Sequence, residues 1–356
     1  MKRGRVVVAM SGGVDSSVAA ALLKEQGYEV IGITMCFNLV DAERKRPACC
    51  GIQGIEDARR VAHKLGIRHY VLNMQKPLNE YVIKDFLSEY AHGRTPNPCV
   101  RCNQYLKFDL LLKKALSLES KFLATGHYAR IAKTKSGLML KKAKDLHKDQ
   151  SYFLYRLGQE QLKHILFPLG NYTKTEVREL ARKFGLSVAE KKGSQEICFL
   201  PQVNYRPFLE KALGNRIKPG PILDSNGNIL GKHRGIAFYT IGQREGLGIA
   251  KGYPIYVIGI NPEKNEIIVG KREEVLGKEF ILKDAHQACG KIKKKIAVKV
   301  RIRYNHKEAA AWIIPFKDKL KIQFTKPQFA ITPGQSAVFY KKGMVLGGGY
   351  IEKVIS

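Results

Sequence analysis

The chain has 356 residues, enough for two or three domains, and its 44% apolar and 26% charged residues are typical of a folded globular protein rather than a disordered one. Its 62 lysines and arginines stand against 31 acidic residues, and a net charge of +31 is typical of proteins that bind polyanions such as nucleic acids. No stretch approaches the ~20 apolar residues of a membrane span. The short apolar run after MKRGR leads into a glycine turn rather than a signal-peptide cleavage site. We therefore expect a cytoplasmic protein without a membrane segment.

Strands and helices alternate over the first 125 residues. The predicted strands are Arg5–Met10, Glu29–Cys36, Arg68–Asn73 and Phe122–Thr125. The predicted helices are Ser16–Gln26, Ile55–Leu65, Leu78–Tyr90 and Asn103–Leu118, with a loop over His92–Cys102. This order predicts βαβ units and a Rossmann-like α/β domain with a parallel sheet, in which ligands bind beyond the carboxyl ends of the strands.

The remainder of the chain turns from mixed to all-β. A hairpin is predicted over Tyr128–Lys142 and a helix over Lys174–Phe184, and from Ile217 onward short β-branched runs alternate with Gly, Pro and Asn. We place domain boundaries to give residues 1–214, a small central β domain over 215–275 and a basic β domain over 276–356. The last segment carries 17 Lys and Arg against 5 acidic residues, which favours a nucleic-acid platform, although lysine also serves solubility.

The strongest local signal is AMSGGVDSS, residues 9–17, between the first strand and the first helix. Glycines let the backbone approach an anion closely, and the helix N-terminus adds amide N–H groups and the positive end of its dipole. Asp15 would repel a phosphate, which indicates that Mg²⁺ mediates the contact. The segment is not a Walker A loop, since no Gly-Lys-Ser/Thr ends it.

SGGVDS resembles the loop of the PP-loop ATP pyrophosphatases, which cleave ATP to AMP and pyrophosphate. The resemblance implies that ATP, with Mg²⁺, adenylates an oxygen of the substrate, which then leaves as AMP when a nitrogen or sulfur nucleophile attacks. The residues that it implies for ATP binding are Ala9, Met10, Ser11, Gly12, Gly13, Val14, Asp15, Ser16, Met35 and Gly126.

Seven cysteines raise the question of the nucleophile, because disulfides are seldom structural in a reducing compartment. Cys99 and Cys102 form a C-x-x-C pair in NPCVRCN, and Cys198 lies in GSQEICFLP. A sulfur-inserting enzyme needs such thiols, since one can carry sulfur as a persulfide while a second attacks it and leaves a disulfide. Structural zinc, with Cys49 and Cys50 as further ligands, would leave Cys198 without a role. We expect Cys36 and Cys289 to be packing residues.

GRTPNPCVRCNQYLKF, ATGHYAR, KDQSYFLYRL, SQEICFL, TIGQREGLGI and ITPGQSAVFY together resemble the tRNA-specific 2-thiouridylases over nearly the whole chain. The resemblance implies a PP-loop domain, a central β domain and a C-terminal β-barrel, and thiolation at carbon 2 of the tRNA wobble uridine. It implies Cys102 as the nucleophile and Cys198 as the persulfide carrier, with Asn97, Pro98 and Cys99 beside the target base. The tRNA contacts that it implies are His127, Lys148, Asp149, Gln150, Arg303, Tyr304 and Gln335.

Cys99 departs from the family pattern, in which many members have Asp. Cys99, Cys102 and Cys198 would supply three ligands to a 4Fe–4S cluster and leave one iron open for hydrosulfide, an arrangement that resembles the cluster-dependent RNA thiolases. The extra cysteine favours the cluster, and the persulfide relay stays open beside it. The family implies tRNAs for Lys, Glu and Gln as substrates, and a cysteine desulfurase or relay protein is one source of sulfur. A nitrogen-inserting ligase similar to tRNA lysidine synthetase, or a zinc-containing RNA-binding protein without catalysis, would account for part of the same pattern.

Overall fold

The computed structural model describes residues 3–37, 40–41, 46–47, 52–135, 137–191, 197–200, 204–288 and 290–355. Cys49, Cys50 and Cys289 lie outside these described residues. The chain divides into two compact units. The first comprises residues 1–82, 99–203 and 342–345, and the second comprises 83–98, 204–341 and 346–356. None of the helices in the described ranges has the length and apolar character to cross a membrane.

A five-stranded parallel sheet forms the centre of the first unit and confirms the predicted α/β fold. Its strands are β1 (Arg5–Ala9), β2 (Glu29–Cys36), β5 (Arg68–Asn73), β6 (Phe122–Thr125) and β9 (Ile165–Leu166). They lie in the order β5-β2-β1-β6-β9, all parallel. The two-residue strands β3 (Val40–Asp41) and β4 (Arg46–Pro47) pair with each other, and β7 (Ala129–Thr134) and β8 (Gly137–Lys142) form the predicted hairpin.

The helices of the chain cover the sheet of the first unit and part of the second unit. They are α1 (Val14–Glu25), α2 (Ile52–Lys64), α3 (Gln75–Leu78), α4 (Lys84–Ala91), α5 (Pro98–Arg101), α6 (Leu112–Ser117), α7 (Gln159–Leu162), α8 (Lys174–Lys183) and α9 (Arg206–Leu213). Two π-helical stretches, Asn79–Ile83 and Cys102–Leu111, join α3 to α4 and α5 to α6. Single turns of 3₁₀ helix lie at Ser151–Leu154, Gly214–Arg216, Ile236–Phe238 and Arg272–Val275.

Burial explains why these segments fold as they do. The β-branched run of β1 is buried on both faces, as a central parallel strand requires, with Val6, Val7 and Val8 fully buried. The alanine-rich α1 packs on the sheet with nearly every residue buried. Helix α8 begins at Thr173, whose hydroxyl accepts the N–H of Glu176 while the Glu176 carboxylate accepts the N–H of Thr173.

Two sheets make up most of the second unit. The smaller one contains β10 (Gly220–Leu223), β11 (Ile229–His233), β12 (Tyr256–Asn261) and β13 (Glu266–Gly270) in the order β11-β10-β13-β12. The larger one contains β14 (Leu276–Gln287), β15 (Ile296–Arg301), β16 (Ala309–Phe316), β17 (Lys319–Phe329), β18 (Ser336–Lys341) and β19 (Met344–Val354). Because β14 pairs with both β17 and β19, these six antiparallel strands close into the expected barrel.

The segment before the cysteine pair is fastened to the barrel within the second unit. Arg94 donates from Nε to the Glu89 carboxylate at 2.7 Å and from its two terminal nitrogens to the carbonyls of Glu352 and Ile351 at 3.2 and 3.1 Å. Gln335 donates from Nε2 to the carbonyls of Thr95 and Pro96 at 3.1 and 3.0 Å. These bonds fix the backbone that leads into Asn97 and Pro98.

Replacing Arg94 with Ala is expected to lower the free energy of unfolding by about 1–3 kcal/mol, because it leaves two carbonyls without their charged donor and leaves the largely buried Glu89 carboxylate with Lys283 alone, 3.6 Å away. Urea denaturation followed by circular dichroism measures the loss. Arg68→Ala is the matched control, since Arg68 is 58% exposed and pairs with Glu29 at the surface, so it should change little. Equal effects of the two substitutions would contradict a fastening role for Arg94.

Candidate functional site

Serine hydroxyls shape the turn between β1 and α1. Ser16 Oγ accepts the N–H of Ser11 at 3.1 Å and donates to the carbonyl of Gly13 at 3.2 Å, and Ser17 Oγ donates to the same carbonyl at 2.9 Å. Gly13, the residue that precedes α1, has no side chain with which to cap the helix, and among the described residues no side-chain cap bond is formed at this position. The N–H groups of the first turn of α1 therefore point at the carboxyl end of the sheet, where an anion can accept them.

Two glycines of the expected ATP site permit close backbone approach. Gly12 has φ +71°, and a Cβ there would lie 2.1 Å from the carbonyl oxygen of Gly54 in α2. A Cβ on Gly126 would lie 2.7 Å from the backbone nitrogen of Ser16, so the segment after β6 lies directly against the N-terminus of α1. The structure thus brings residues 9–16 and Gly126 together at one sheet edge, and Met35 lies half-buried at the end of the neighbouring strand β2.

Asp15 is paired in this structure. Its Oδ1 accepts hydrogen bonds from Lys174 Nζ at 2.6 Å and from the Tyr128 hydroxyl at 2.8 Å. Burial, together with the negative charge of Asp15, raises the pKa of Tyr128, so this hydroxyl stays a donor. Lys174 therefore places one positive charge beside Asp15 at this turn.

A second lysine lies at the same turn. Lys191 Nζ donates to the carbonyl of Gly12 at 3.0 Å and to Asp57 Oδ2 at 2.6 Å. Burial of Asp57 opposes its ionisation, but hydrogen bonds from Lys191 and Arg60 outweigh it and hold the pKa of this carboxyl below its usual value. Sequence reasoning missed both Lys174 and Lys191, because they are distant in sequence from the turn and no local motif marks them.

The cysteine pair begins a helix rather than ending a loop. We expected a loop over His92–Cys102, but Pro98–Arg101 is helical and continues through the π-helical stretch from Cys102. Pro98 stands at the first helical position, where proline's missing N–H is tolerated. The thiols of Cys99 and Cys102 are therefore one helical turn apart, with Cys102 buried at 6% exposure and Cys99 half-buried.

Cys102 and Cys198 are in hydrogen-bonding contact. The Cys198 thiol donates to Cys102, and this bond, reinforced by the positive charge of Lys107, lowers the pKa of Cys102 to about 7 in spite of its burial. Cys198 itself is exposed. The structure therefore joins, in one unit, the two cysteines that the sequence marks as a relay pair, and gives a substantial thiolate fraction at neutral pH to the buried one.

Cys99 has the opposite electrostatic environment. Burial, together with the neighbouring Cys102, raises the pKa of Cys99 to about 11, so it is a thiol at neutral pH. Three thiols have the donor chemistry of a 4Fe–4S cluster. However, in the part of the chain that the structure describes, no three His, Cys, Asp or Glu side chains are grouped so as to hold a metal ion. Cys102 is nevertheless the neighbour of both Cys99 and Cys198, so the cluster and the persulfide relay both stay open.

His127 lies against the helical run Pro98–Leu111, which carries Cys99 and Cys102 and is called the cysteine helix below. Its ring contacts Phe108 and Phe167, with centroids 5.9 and 6.1 Å away, and its Nδ1 is 2.7 Å from Thr125 Oγ1. Burial, together with the charge of Lys107, lowers the pKa of His127 well below its usual value, so the imidazole is neutral. Lys107 thus acts on Cys99, Cys102 and His127 together, and sequence reasoning did not single it out.

The other residues expected to bind tRNA have different surroundings. Lys148 is exposed, whereas Asp149 is 2% exposed and accepts hydrogen bonds from the N–H of Ala143 and from the hydroxyl of Ser151. Gln150 Oε1 accepts the N–H of Tyr128. In the barrel, Arg303 and Tyr304 are half-buried. Asp149 and Gln150 therefore hold the backbone beside Lys148, and the sequence did not show this internal role.

Comparison with known proteins matches the whole chain. Three family models cover it in turn: the tRNA methyl transferase HUP domain over residues 4–202, the tRNA methyl transferase PRC-barrel domain over 206–271, and the Aminomethyltransferase beta-barrel domain over 277–351. A tRNA-specific 2-thiouridylase MnmA of Halothermothrix orenii is 53% identical over 98% of this chain and 99% of its own length. One from Clostridium perfringens is 48% identical over the full length of both.

Solved structures give weaker likenesses. The U34-tRNA thiolase NcsA from Methanococcus maripaludis with its 4Fe–4S cluster has a TM-score of 0.37 and 20% identity, covering 60% of this chain and 68% of that one. A 4-thiouridine synthetase–RNA complex with bound ATP has a TM-score of 0.36 and 18% identity, covering 60% and 51%. At these values neither structure bears on the chemistry of this chain.

Removing Cys198 is expected to raise the pKa of Cys102 from about 7 towards that of an ordinary thiol, about 8.5, because the main stabiliser of its thiolate is gone. Iodoacetamide labelling of Cys102, followed by peptide mass spectrometry across pH 5–10, measures this midpoint. At pH 7 the labelling rate of Cys198→Ala should fall several-fold. Lys107→Gln should act in the same direction and more weakly.

Lys113→Gln is the control for the charge. Lys113 lies on the same helical run, but it is 72% exposed and pairs with Asp109 at 2.7 Å. A labelling midpoint for Cys102 that is the same in Cys198→Ala, Lys107→Gln and the control would show that neither group tunes this thiol.

Proposed function

The chain belongs to the tRNA-specific 2-thiouridylase family, and from this premise we propose that it replaces the carbon-2 oxygen of the tRNA wobble uridine with sulfur at the expense of ATP. Within the structure, one observation carries the proposal: the side chain of the buried Cys102 is in hydrogen-bonding contact with that of the exposed Cys198, and this contact lowers the pKa of Cys102. The phosphate-binding turn of the same unit supplies the activation step. The relatives' names supply the substrate class.

The first step is adenylation. The carbon-2 oxygen of uridine attacks the α-phosphorus of ATP, the bond to the β-phosphate oxygen breaks, and pyrophosphate leaves. The open N–H groups at the N-terminus of α1 hold the pyrophosphate end. Lys174 and Lys191 border the turn and, by pairing with Asp15 and Asp57, keep these carboxylates from repelling the pyrophosphate. Mg²⁺ would supply the further positive charge that the phosphates require. A poor leaving oxygen has now become part of AMP.

The second step is sulfur transfer. Cys198 carries a persulfide, and its terminal sulfur attacks carbon 2, from which AMP departs with the electron pair of the broken C–O bond. The Cys102 thiolate then attacks the Cys198 sulfur, breaks the S–S bond, and leaves 2-thiouridine and a Cys102–Cys198 disulfide. A thiol reductant returns two electrons before the next cycle. The exposure of Cys198 suits loading by a cysteine desulfurase or a relay protein.

The remaining site residues orient the base. Asn97 and Pro98 are buried at the start of the cysteine helix, and Cys99 stays protonated beside them. His127 is neutral and packs against two phenylalanines, which suits a wall of the base pocket rather than an acid or base. The uridine leaves the anticodon stack to reach this position. Wobble uridines of the Lys, Glu and Gln tRNAs are the proposed substrates.

Other reactions use less of the site. Nitrogen insertion of the lysidine-synthetase kind would use the ATP turn but has no need of a thiolate paired with a second thiol. Methyl transfer, which the family-model descriptions name, has no need of a turn built to hold pyrophosphate. A zinc-containing RNA-binding protein would use neither. Sulfur transfer is the one reaction of this group that employs both features.

Cys102→Ser is expected to lower the rate of thiolation at least a thousandfold, since loss of a catalytic nucleophile typically costs about 10⁴–10⁶ in rate. Release of pyrophosphate in the presence of tRNA should continue. The physical reason is that adenylation precedes the step in which the thiolate acts. Radiolabelled ATP follows the first step, and mass spectrometry of nucleosides follows the second. Cys198→Ser should behave likewise, and Cys36→Ser is the control. A variant lacking both thiols that still modified tRNA would establish nitrogen insertion.

Protein purified without oxygen separates the two routes of sulfur delivery: the persulfide relay that we propose requires a colourless, iron-free protein that thiolates tRNA from a persulfide donor, because Cys198 and Cys102 then carry the sulfur themselves. Visible absorption and iron analysis test this. A brown protein with about four irons, whose colour is lost in Cys99→Ser, would establish the cluster in place of the relay. Stoichiometric zinc without pyrophosphate release would establish a non-catalytic RNA-binding protein.

A further inference from the structure

The outer face of strands β15 and β16 carries the single tryptophan of the chain. Along these strands buried and outward-facing residues alternate, so that Val298 and Ala311 face the barrel core while Trp312 faces outward and is 37% exposed. Its cross-strand partner on β15 is Ala297, which is too small to cover the indole. Its partner on β17 is Gln323, so the exposed part of the indole lies between a small and a polar side chain on this sheet face.

Lysines surround this indole. The ammonium group of Lys295 lies 4.7 Å from the centroid of the Trp312 ring. Lys299 is exposed on the same outer face, two residues along from Ala297 and thus diagonal to Trp312. The nearby carboxylate of Glu279 is already bonded to Lys321 and Gln323, so it does not cancel the positive charge. We define the basic tryptophan face as Lys295, Lys299 and Trp312.

We propose that the basic tryptophan face is a contact surface for the sugar–phosphate backbone of RNA, with the lysines on phosphates and the indole against a ribose or an unpaired base. Charge decides the occupant, because the segment 276–356 carries 17 basic against 5 acidic residues and suits a polyanion rather than an ordinary protein surface. Aromatic side chains set among basic residues are the usual means of holding unpaired nucleotides. This inference rests on the proposed function, since tRNA is the polyanion that the reaction requires.

The single tryptophan makes the test direct, because the intrinsic tryptophan fluorescence of the protein reports Trp312 alone. Titration of the full chain with unmodified tRNA should quench this fluorescence saturably, and the quenching should weaken as salt is raised. Trp312→Ala should weaken tRNA binding about fivefold or more, within the range found when a stacking aromatic is removed. Lys295→Gln should weaken it and reduce the slope of log K against log salt by about one.

Two controls keep the interpretation specific. Phe316→Ala removes another exposed aromatic of β16, and Lys264→Gln removes one positive charge from an exposed turn of the smaller sheet, so both should bind tRNA as the parent protein does. If tRNA does not change the fluorescence of the parent protein, and Trp312→Ala binds tRNA with the parent's affinity, the proposed contact surface is wrong. The proposed function stands in that case as long as the parent protein thiolates tRNA. Quenching by a sulfur-donor protein but not by tRNA would overturn the RNA occupant. If the parent protein neither binds tRNA nor releases pyrophosphate from ATP, the proposed function itself is wrong.

Discussion

The proposed chemistry depends on a thiolate that is stable inside the protein. Burial by itself makes a charged sulfur costly, as the raised pKa of Cys99 shows one helical turn away. Cys102 escapes this cost because Cys198 donates a hydrogen bond to it and Lys107 adds a positive charge. The same contact holds the two sulfurs of the relay within reach of each other, so reactivity and position arise from one interaction.

The parallel sheet explains why ATP and the thiols share one unit. The carboxyl ends of β1 and β6 lie side by side, and the residues that follow them are the serine-rich turn and Gly126. His127 comes next in the chain and packs against Phe108 of the cysteine helix. A short covalent and packing path thus runs from the N-terminus of α1 to Cys102. Chemistry at a carbon activated by AMP needs such proximity of the two steps.

The alternation of strands and helices predicts the parallel sheet, and the short β-branched runs between Gly, Pro and Asn predict the β-rich remainder. The barrel was expected from the family resemblance, and phosphate binding by the glycine turn stays a prediction. The sequence could not predict pairings across long sequence distances, such as Lys174 with Asp15 or Lys191 with Asp57, because no local pattern encodes them. Sequence reasoning also placed Cys99 in a loop, because the turn-forming residues of Thr95–Pro98 hide the start of the helix at Pro98. The fifth strand, Ile165–Leu166, has two residues and is too short to show the alternation of apolar and polar residues by which a strand is predicted.

The two cysteines of NPCVRCN therefore have different chemistry although they share one short motif. Cys99 keeps its proton at neutral pH, so it is the poorer nucleophile of the two. Cys102 is already largely prepared for attack, and its partner is exposed where a sulfur donor can reach it. A relay needs only this unequal pair, one thiol that meets the donor and one that is held ready in the interior.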